Sequence, residues 1–346
     1  MFIRFGARLI AWASLQKLVR SKDAGVGLVK IFLTLLLLVV LVDTASPLTW
    51  YVAAEVPVAG DGSLANPFDT IASGMAAAAD GDTVRLAAGT YSATVATSAY
   101  GNPRLALLVL KDGVTVIGAG RKATFLHALS APTLTFGITA ENVNASASVS
   151  DLTVSGACFH GVNLRSSSPT FERMDLVNDV TGGSSVACDV RDLSYPVFQD
   201  VVFNGGHSGL VVEFGAGGVY TDCEVGVRPN DGLICNNGTP EFVNTDFLGA
   251  GRDVLVFAQG AQPIVNGCRI ADGGQFVVRV AVYLPGSEID LGGNDWFSSD
   301  PMIVRSRIQD ALVDPLLGAT VVIEPFGSGE VALESTSLGT LKALYR

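Results

Sequence analysis

Six segments of the chain repeat one another at a near-constant spacing. Pro169-Thr-Phe171, Pro196-Val-Phe198, Pro240-Glu-Phe242 and Pro263-Ile-Val265 align, and a second pair follows each. These pairs are Met174 with Leu176, Val201 with Phe203, Thr245 with Phe247, and Cys268 with Ile270. Two further copies lack the proline. They start at Ala147 (Val149, Leu152, Val154) and Gly218 (Tyr220, Cys223, Val225). The starts at 147, 169, 196, 218, 240 and 263 are 22, 27, 22, 22 and 23 residues apart. A unit this small cannot bury its own apolar side chains. The units must stack and share one continuous core. Propeller blades need about 40 residues and are excluded by length. Leucine-rich repeats are excluded because no Leu-x-x-Leu-x-Leu run is present.

Parity within the unit adds a second constraint. The fifth and seventh positions alternate as in a short half-buried strand. The apolar second position has the opposite parity, and a strand changes face only at a bend or bulge. A bend is therefore predicted between the second and fifth positions of every unit. Asp151, Asp200, Asp222, Asn244 and Gly267 fall there, all types that tolerate turn conformations. Arg173 is the exception. A second apolar segment follows each first one after a Gly-rich turn, at 161–164, 209–212, 232–234 and 253–256. No crossover helix fits inside a unit. The expected class is all-β, with Phe171, Phe198, Tyr220 and Phe242 in one interior ladder. Leu176, Phe203, Val225 and Phe247 form another. Each fully buried side chain contributes roughly 1.5–3 kcal/mol.

Charge narrows the partners. Acidic residues outnumber basic ones 33 to 22, and no basic stripe occurs, which argues against nucleic-acid binding through phosphate neutralisation. Residues 1–46 hold six Lys/Arg and two Asp, leaving a net −15 on the remainder. A body this acidic repels anionic polymers unless a cation mediates. In the N-terminal segment, Arg4, Arg8, Lys17, Arg20, Lys22 and Lys30 precede an apolar run over 31–42 and the small residues Thr44, Ala45 and Ser46. Positive, apolar, small is the order of a secretory signal. The basic region is long, however, and Asp43 stands where a small residue is usual before a cut after Ala45. The apolar run is also short for a membrane span. Residues 1–46 read as a cleaved signal peptide, a retained membrane anchor or an ordinary buried helix. The first two place the body in a secreted, periplasmic or cell-surface setting. The five cysteines, 158, 188, 223, 235 and 268, lack zinc-knuckle spacing and read as small buried hydrophobes. Residues 327–346 read as a separate tail behind the linker Gly327-Ser-Gly329, expected either to dock on the last coil or to act as a sorting tail. A monomer is expected.

The ends of the body resemble a known family. Trp50-Tyr51-Val52, Gly60-Asp61-Gly62, Asn66-Pro67-Phe68, a helical stretch over 69–79, Gly81-Asp82-Thr83 and Gly89-Thr90-Tyr91 occur in that order. This closely resembles the entry of secreted right-handed parallel β-helix proteins of the pectate-lyase-like fold. The stretch 290–326, with Gly293-Asn294-Asp295-Trp296, resembles their exit. The resemblance covers about 280 residues, 47–326, and implies a right-handed parallel β-helix with an N-terminal capping helix. That helix has Asp69 or Thr70 as its cap and Ile71, Met75, Ala76 and Ala79 as its apolar face. The fold hosts lyases, hydrolases, epimerases and adhesins, so the resemblance says less about activity.

The sixth position of each unit should point outward. It reads Thr153, Asp175, Val202, Glu224, Asp246 and Arg269. Glu224, Asp246 and Arg269 fall on successive coils, about 4.8 Å apart. Two stacked carboxylates repel unless one is protonated or a cation lies between them. Arg269, or calcium held by Glu224 and Asp246, supplies that cation. The resemblance implies that lyases of this fold use such a set to remove a proton beside a uronate. Glu224, Asp246 and Arg269 are thus the candidate catalytic residues, and a solvated charged face is the alternative. His127, His160 and His207 lie too far apart to share a metal. His160-Gly161 and Asn230-Asp231-Gly232 read as turns, and so does the stretch 118–122. Two functions remain: a protein outside the cytoplasm that binds or processes polysaccharide, or a non-catalytic envelope adhesion or scaffold solenoid.

Overall fold

A computed structural model describes residues 46–326, apart from 57, 100, 130–134, 157 and 181–182. The expected signal or anchor segment and the C-terminal tail lie outside the described residues. Two large sheets wrap one core: fifteen strands in one and ten in the other. Neighbouring strands come from successive coils, and every pairing is parallel except the hairpin of Val95–Ala99 with Asn102–Val109. The molecule is a right-handed parallel β-helix.

The fifteen-stranded wall is built from the repeated segments. Thr170–Asn178 lies between Ser148–Gly156 and Val197–Gly205 in full register, with Phe171 opposite Val149 and Phe198. The bend appears in every unit. Asp151, Arg173, Asp200, Asp222, Asn244 and Gly267 all have φ between 50° and 61°. Arg173 joins the others despite its long side chain. Its Nε and Nη2 reach the two carboxylate oxygens of Asp151 at 2.7 and 2.8 Å. A bidentate, charge-assisted pair offsets part of the cost of that backbone conformation.

Inside the bend, both predicted ladders are present. The rings of Phe171, Phe198, Tyr220 and Phe242 stack at 4.8, 5.1 and 4.7 Å between centroids. Leu176, Phe203, Val225 and Phe247 follow one another in register on the same wall. The five cysteines are buried and free.

The ten-stranded wall uses the second segment of each unit, at His160–Arg165, Val186–Arg191, Ser208–Glu213, Leu233–Asn236 and Asp253–Ala258. The one long spacing, 27 residues, is a loop between Asn178 and Val186.

A short helix covers the N-terminal end, but not as the sequence suggested. It spans Ile71–Ala77, and Thr70 is its cap, accepting from Ser73 N at 3.2 Å. Ile71, Gly74, Met75 and Ala78 face the core, while Ala76 and Ala79 are exposed. Gly74 lets the helix lie close to the first coil, since a Cβ there would sit 2.8 Å from Val52 Cγ2. Lys111 Nζ donates to Met75 O and Ala78 O, each at 2.7 Å, and so satisfies helix-end carbonyls. At the other end, Trp296 continues the ladder beyond Ile270. A five-residue helix, Pro301–Arg305, follows, and Ser287–Asp290 pairs with Ala319–Val322 in a separate small sheet.

Candidate functional site

The outward column read from the sequence exists as a physical row. Thr153, Asp175, Val202, Glu224, Asp246 and Arg269 are register partners on consecutive coils, and Asp295 extends the row. Asp246 forms an ion pair with Arg269, and both side chains are partly exposed. Glu224 sits deeper. Burial pushes its carboxyl above the ordinary range, the charge of Asp246 adds to this, and Arg269 and Arg228 oppose it. Arg228 is 4 % exposed, and its Nη1 donates to Asn204 Oδ1 at 3.1 Å. Burial pulls its pKa down to about 10. Glu224 and Asp246 thus meet different surroundings one coil apart.

The cation beside Asp246 is Arg269. Among the described residues, no group of three His, Cys, Asp or Glu is placed to hold a metal ion. Asp175 belongs to a neighbouring cluster. Arg121 Nε is 3.6 Å from Asp175 Oδ1, and Arg121 Nη2 is 2.8 Å from Asp200 Oδ1. The turn over 118–122 therefore sets a guanidinium on this wall.

A second polar surface lies on the ten-stranded wall, and the sequence reading missed it. Asn163, Asp189, Arg165 and Arg191 alternate with the core residues Val162, Leu164, Cys188 and Val190, so they point outward. Arg191 Nε donates to Asp189 Oδ1 at 2.7 Å, and its Nη2 is 3.2 Å from Glu213 Oε2. Glu213 Oε1 accepts from Asn236 Nδ2 at 2.6 Å. Arg165 Nη2 is 2.7 Å from Asp192 Oδ2. His160 Nδ1 lies 3.4 Å from Asp189 Oδ2. Burial holds the His160 pKa down at about 4, against the pull of Asp189. Further along, Asp231 pairs with Arg252, and Asp253 lies 2.7 Å from Arg279 Nε. Burial raises the Asp253 carboxyl above its ordinary range.

These charges form three networks: His160, Asp189, Arg191, Glu213 and Asn236; Arg165 with Asp192; and Asp231, Arg252, Asp253 and Arg279. Buried ion pairs are weak devices for stability, because desolvation offsets most of the attraction. A wall that needed only to pack would be served as well by Val or Ile. Perturbed, enclosed charges gathered on one wall make it a candidate functional site. The signal was present in the sequence: 160–165 aligned with 186–191 and 208–213 stacks these charges. The periodicity is strongest in the first strand of each unit, and the charges sit on the second. His160 begins the strand His160–Arg165 rather than a turn, and both His160 and Asp231 lie buried within these networks. The three histidines remain apart, and His127 Nδ1 contacts Ser155 Oγ at 3.0 Å.

No protein-family model matches the sequence, and no curated protein matches it. Solved structures do share the fold. The pectate lyase Pel9A superposes with a TM-score of 0.55 at 14 % identity, over 86 % of this chain and 85 % of that one. The pectin methylesterase PemA from Erwinia chrysanthemi gives 0.35 at 13 % identity, over 70 % and 78 %. The A-module of the mannuronan C-5 epimerase AlgE4 from Azotobacter vinelandii gives 0.36 at 17 %, over 62 % and 79 %. Identity this low speaks to the fold alone, which is the pectate-lyase-like parallel β-helix.

Proposed function

We propose that this protein binds polysaccharide outside the cytoplasm, with the glycan lying across the coils of the ten-stranded wall. The observation that carries this reading is the outward row of partly exposed polar groups Arg165, Arg191, Glu213 and Asn236, held in place from beneath by the buried Asp189. It repeats at strand spacing, about 4.8 Å. A polymer with regularly spaced hydroxyls meets a matching row of donors and acceptors there. The fold shared with a protein named as a pectate lyase supports the class of ligand. The basic, apolar, small order of residues 1–46 supports the compartment.

A second site is proposed for chemistry. Glu224, with its raised pKa, stands beside ion-paired Asp246. Carboxyls held in unlike surroundings can divide acid and base roles between them. Arg269, or calcium recruited when substrate binds, balances the charge. The test uses the full-length protein with neutral and uronate glycans, with and without Ca²⁺. Binding is read by calorimetry, and turnover by new double-bond absorbance and reducing ends. Binding weakened by Arg191→Gln and Glu213→Gln, and retained in Glu224→Gln, is the expected pattern. Absence of glycan binding under all conditions leaves the non-catalytic scaffold standing. Turnover that persists in both Glu224→Gln and Asp246→Asn removes the second site.

A further inference from the structure

Seven strands of the ten-stranded wall are each followed by a residue with positive φ. Along the stack these are Asn142, Ser166, Asp192, Phe214, Asn237, Gln259 and Val282, at 46° to 59°. Asparagine, aspartate and short polar residues tolerate this conformation, and a bulky aromatic residue does not. Phe214 adopts it at φ 57° and is also 57 % exposed. Leu193, one coil earlier, adopts it at 60° and is 65 % exposed. Val282 shares both properties further along the stack, at 70 % exposed, but the ring next to it, Tyr283, is half-buried with its hydroxyl donated to Ala261 O. Backbone strain is a cost, and a largely exposed side chain returns little of it through burial.

Phe214 does not stand alone. Tyr195 is 48 % exposed, and its hydroxyl donates to Gly215 O at 2.9 Å, which holds its ring across two coils. The Arg191 guanidinium lies 5.7 Å from the Phe214 ring centroid and joins this corner to the polar wall.

We infer that Phe214 and Tyr195 form a stacking subsite for an uncharged pyranose ring at the edge of the ten-stranded wall. This inference rests on the polysaccharide-binding reading above. An aromatic face takes the C–H face of a sugar, while Glu213, Asn236 and Arg191 take its hydroxyls. The ligand is neutral for two reasons. Residues 47–346 carry a net −15. The arginines of this corner are already matched, Arg165 with Asp192 and Arg191 with Asp189 and Glu213.

The test compares Phe214→Asn, Tyr195→Ala and Tyr195→Phe in the full-length chain. The probes are cellohexaose and mannohexaose, with polygalacturonate as the anionic probe. Asparagine is what the stack itself uses at Asn142 and Asn237. Phe214→Asn should raise the thermal midpoint and weaken neutral hexasaccharide binding about tenfold. Tyr195→Ala should weaken it similarly, and Tyr195→Phe should largely restore it. A lower midpoint in Phe214→Asn gives the ring a structural role and overturns the inference. Unchanged affinity in Phe214→Asn overturns the subsite but leaves polysaccharide binding intact. Binding of polygalacturonate alone overturns the neutral ligand. A wild-type chain that binds none of the probes removes both readings.

Discussion

A left-handed residue occurs twice in a typical coil, and side-chain chemistry decides how easily it is tolerated. At the bend of the fifteen-stranded wall, Asp222 and Asn244 are stacked neighbours, and Asn244 Nδ2 donates to Asp222 Oδ1 at 2.5 Å. Replacing Asp222 with Ala removes that acceptor and leaves a Cβ with no local compensation. A loss of about 1–2 kcal/mol is expected from urea unfolding. Phe198 touches rings on both sides, so Phe198→Ala should cost about 3–5 kcal/mol. Two titrating residues act in opposite directions. His160 is held neutral, with a folded pKa of about 4 against an unfolded value of about 6.5. The unfolded chain therefore takes up a proton that the folded chain refuses. Stability should fall as pH drops from about 6.5 towards 4, and His160→Gln should lose that slope. Glu224 has a raised folded pKa, with Asp246, Arg269, Arg228 and Asp175 around it. Here stability rises as pH falls through that pKa. Glu224→Gln should be more stable than wild type at neutral pH and lose its advantage in acid. Unfolding curves from pH 4 to 8 check both.

At the scale of elements, the ends need more explanation than the middle. A coil inside the stack has a partner on each side, whereas an end coil must be closed by something of different shape. The first coil is closed by the helix Ile71–Ala77 and by Asp82, which is 6 % exposed. Asp82 accepts from Leu48 N, Ala79 N and Trp50 Nε1 at 2.8, 2.9 and 3.1 Å. Burial alone would raise its pKa, but these donors and Lys111 outweigh burial and hold it low. Its contribution is present above the unfolded value of about 3.9 and is lost as pH falls through the folded pKa. Asp82→Asn keeps the shape but weakens three hydrogen bonds. It should lower stability at neutral pH by about 1–3 kcal/mol, and the difference from wild type should shrink in acid. The helix was legible as a cap from its Thr70 start and apolar spacing. Its early end was not, because the helix-end carbonyls Met75 O and Ala78 O are satisfied by Lys111, which is distant in sequence, and that is a tertiary contact.

For the whole molecule, the relevant property is that outward side chains on successive coils become neighbours. Glu224, Asp246 and Arg269 are 22 and 23 residues apart in sequence and adjacent in space. The same holds for Arg191 and Glu213 on the other wall. Function in such a molecule resides in rows, and a row is interrupted by one apolar member. Val202 separates Asp175 from Glu224 in this way. Replacing Val202 with Asp would extend the acidic row without touching the core. Its expected effect is small on stability and visible as a further rise in the pKa of Glu224, measurable by carbon-detected NMR of the labelled carboxyl.

The sequence by itself determined the coil, its length, its bend and its two interior ladders. Those features depend on spacing and parity, which survive in one dimension. It also determined the outward row at the sixth position, because that row lies between two core positions of the same short strand. Only the tertiary structure decided which outward charges are enclosed and which are solvated. Asp189 and Asp246 look alike in the chain, but one is fully buried in a network and the other shares a partly exposed ion pair. The difference arises from the neighbours that stacking brings to each carboxylate, and local sequence does not encode that environment.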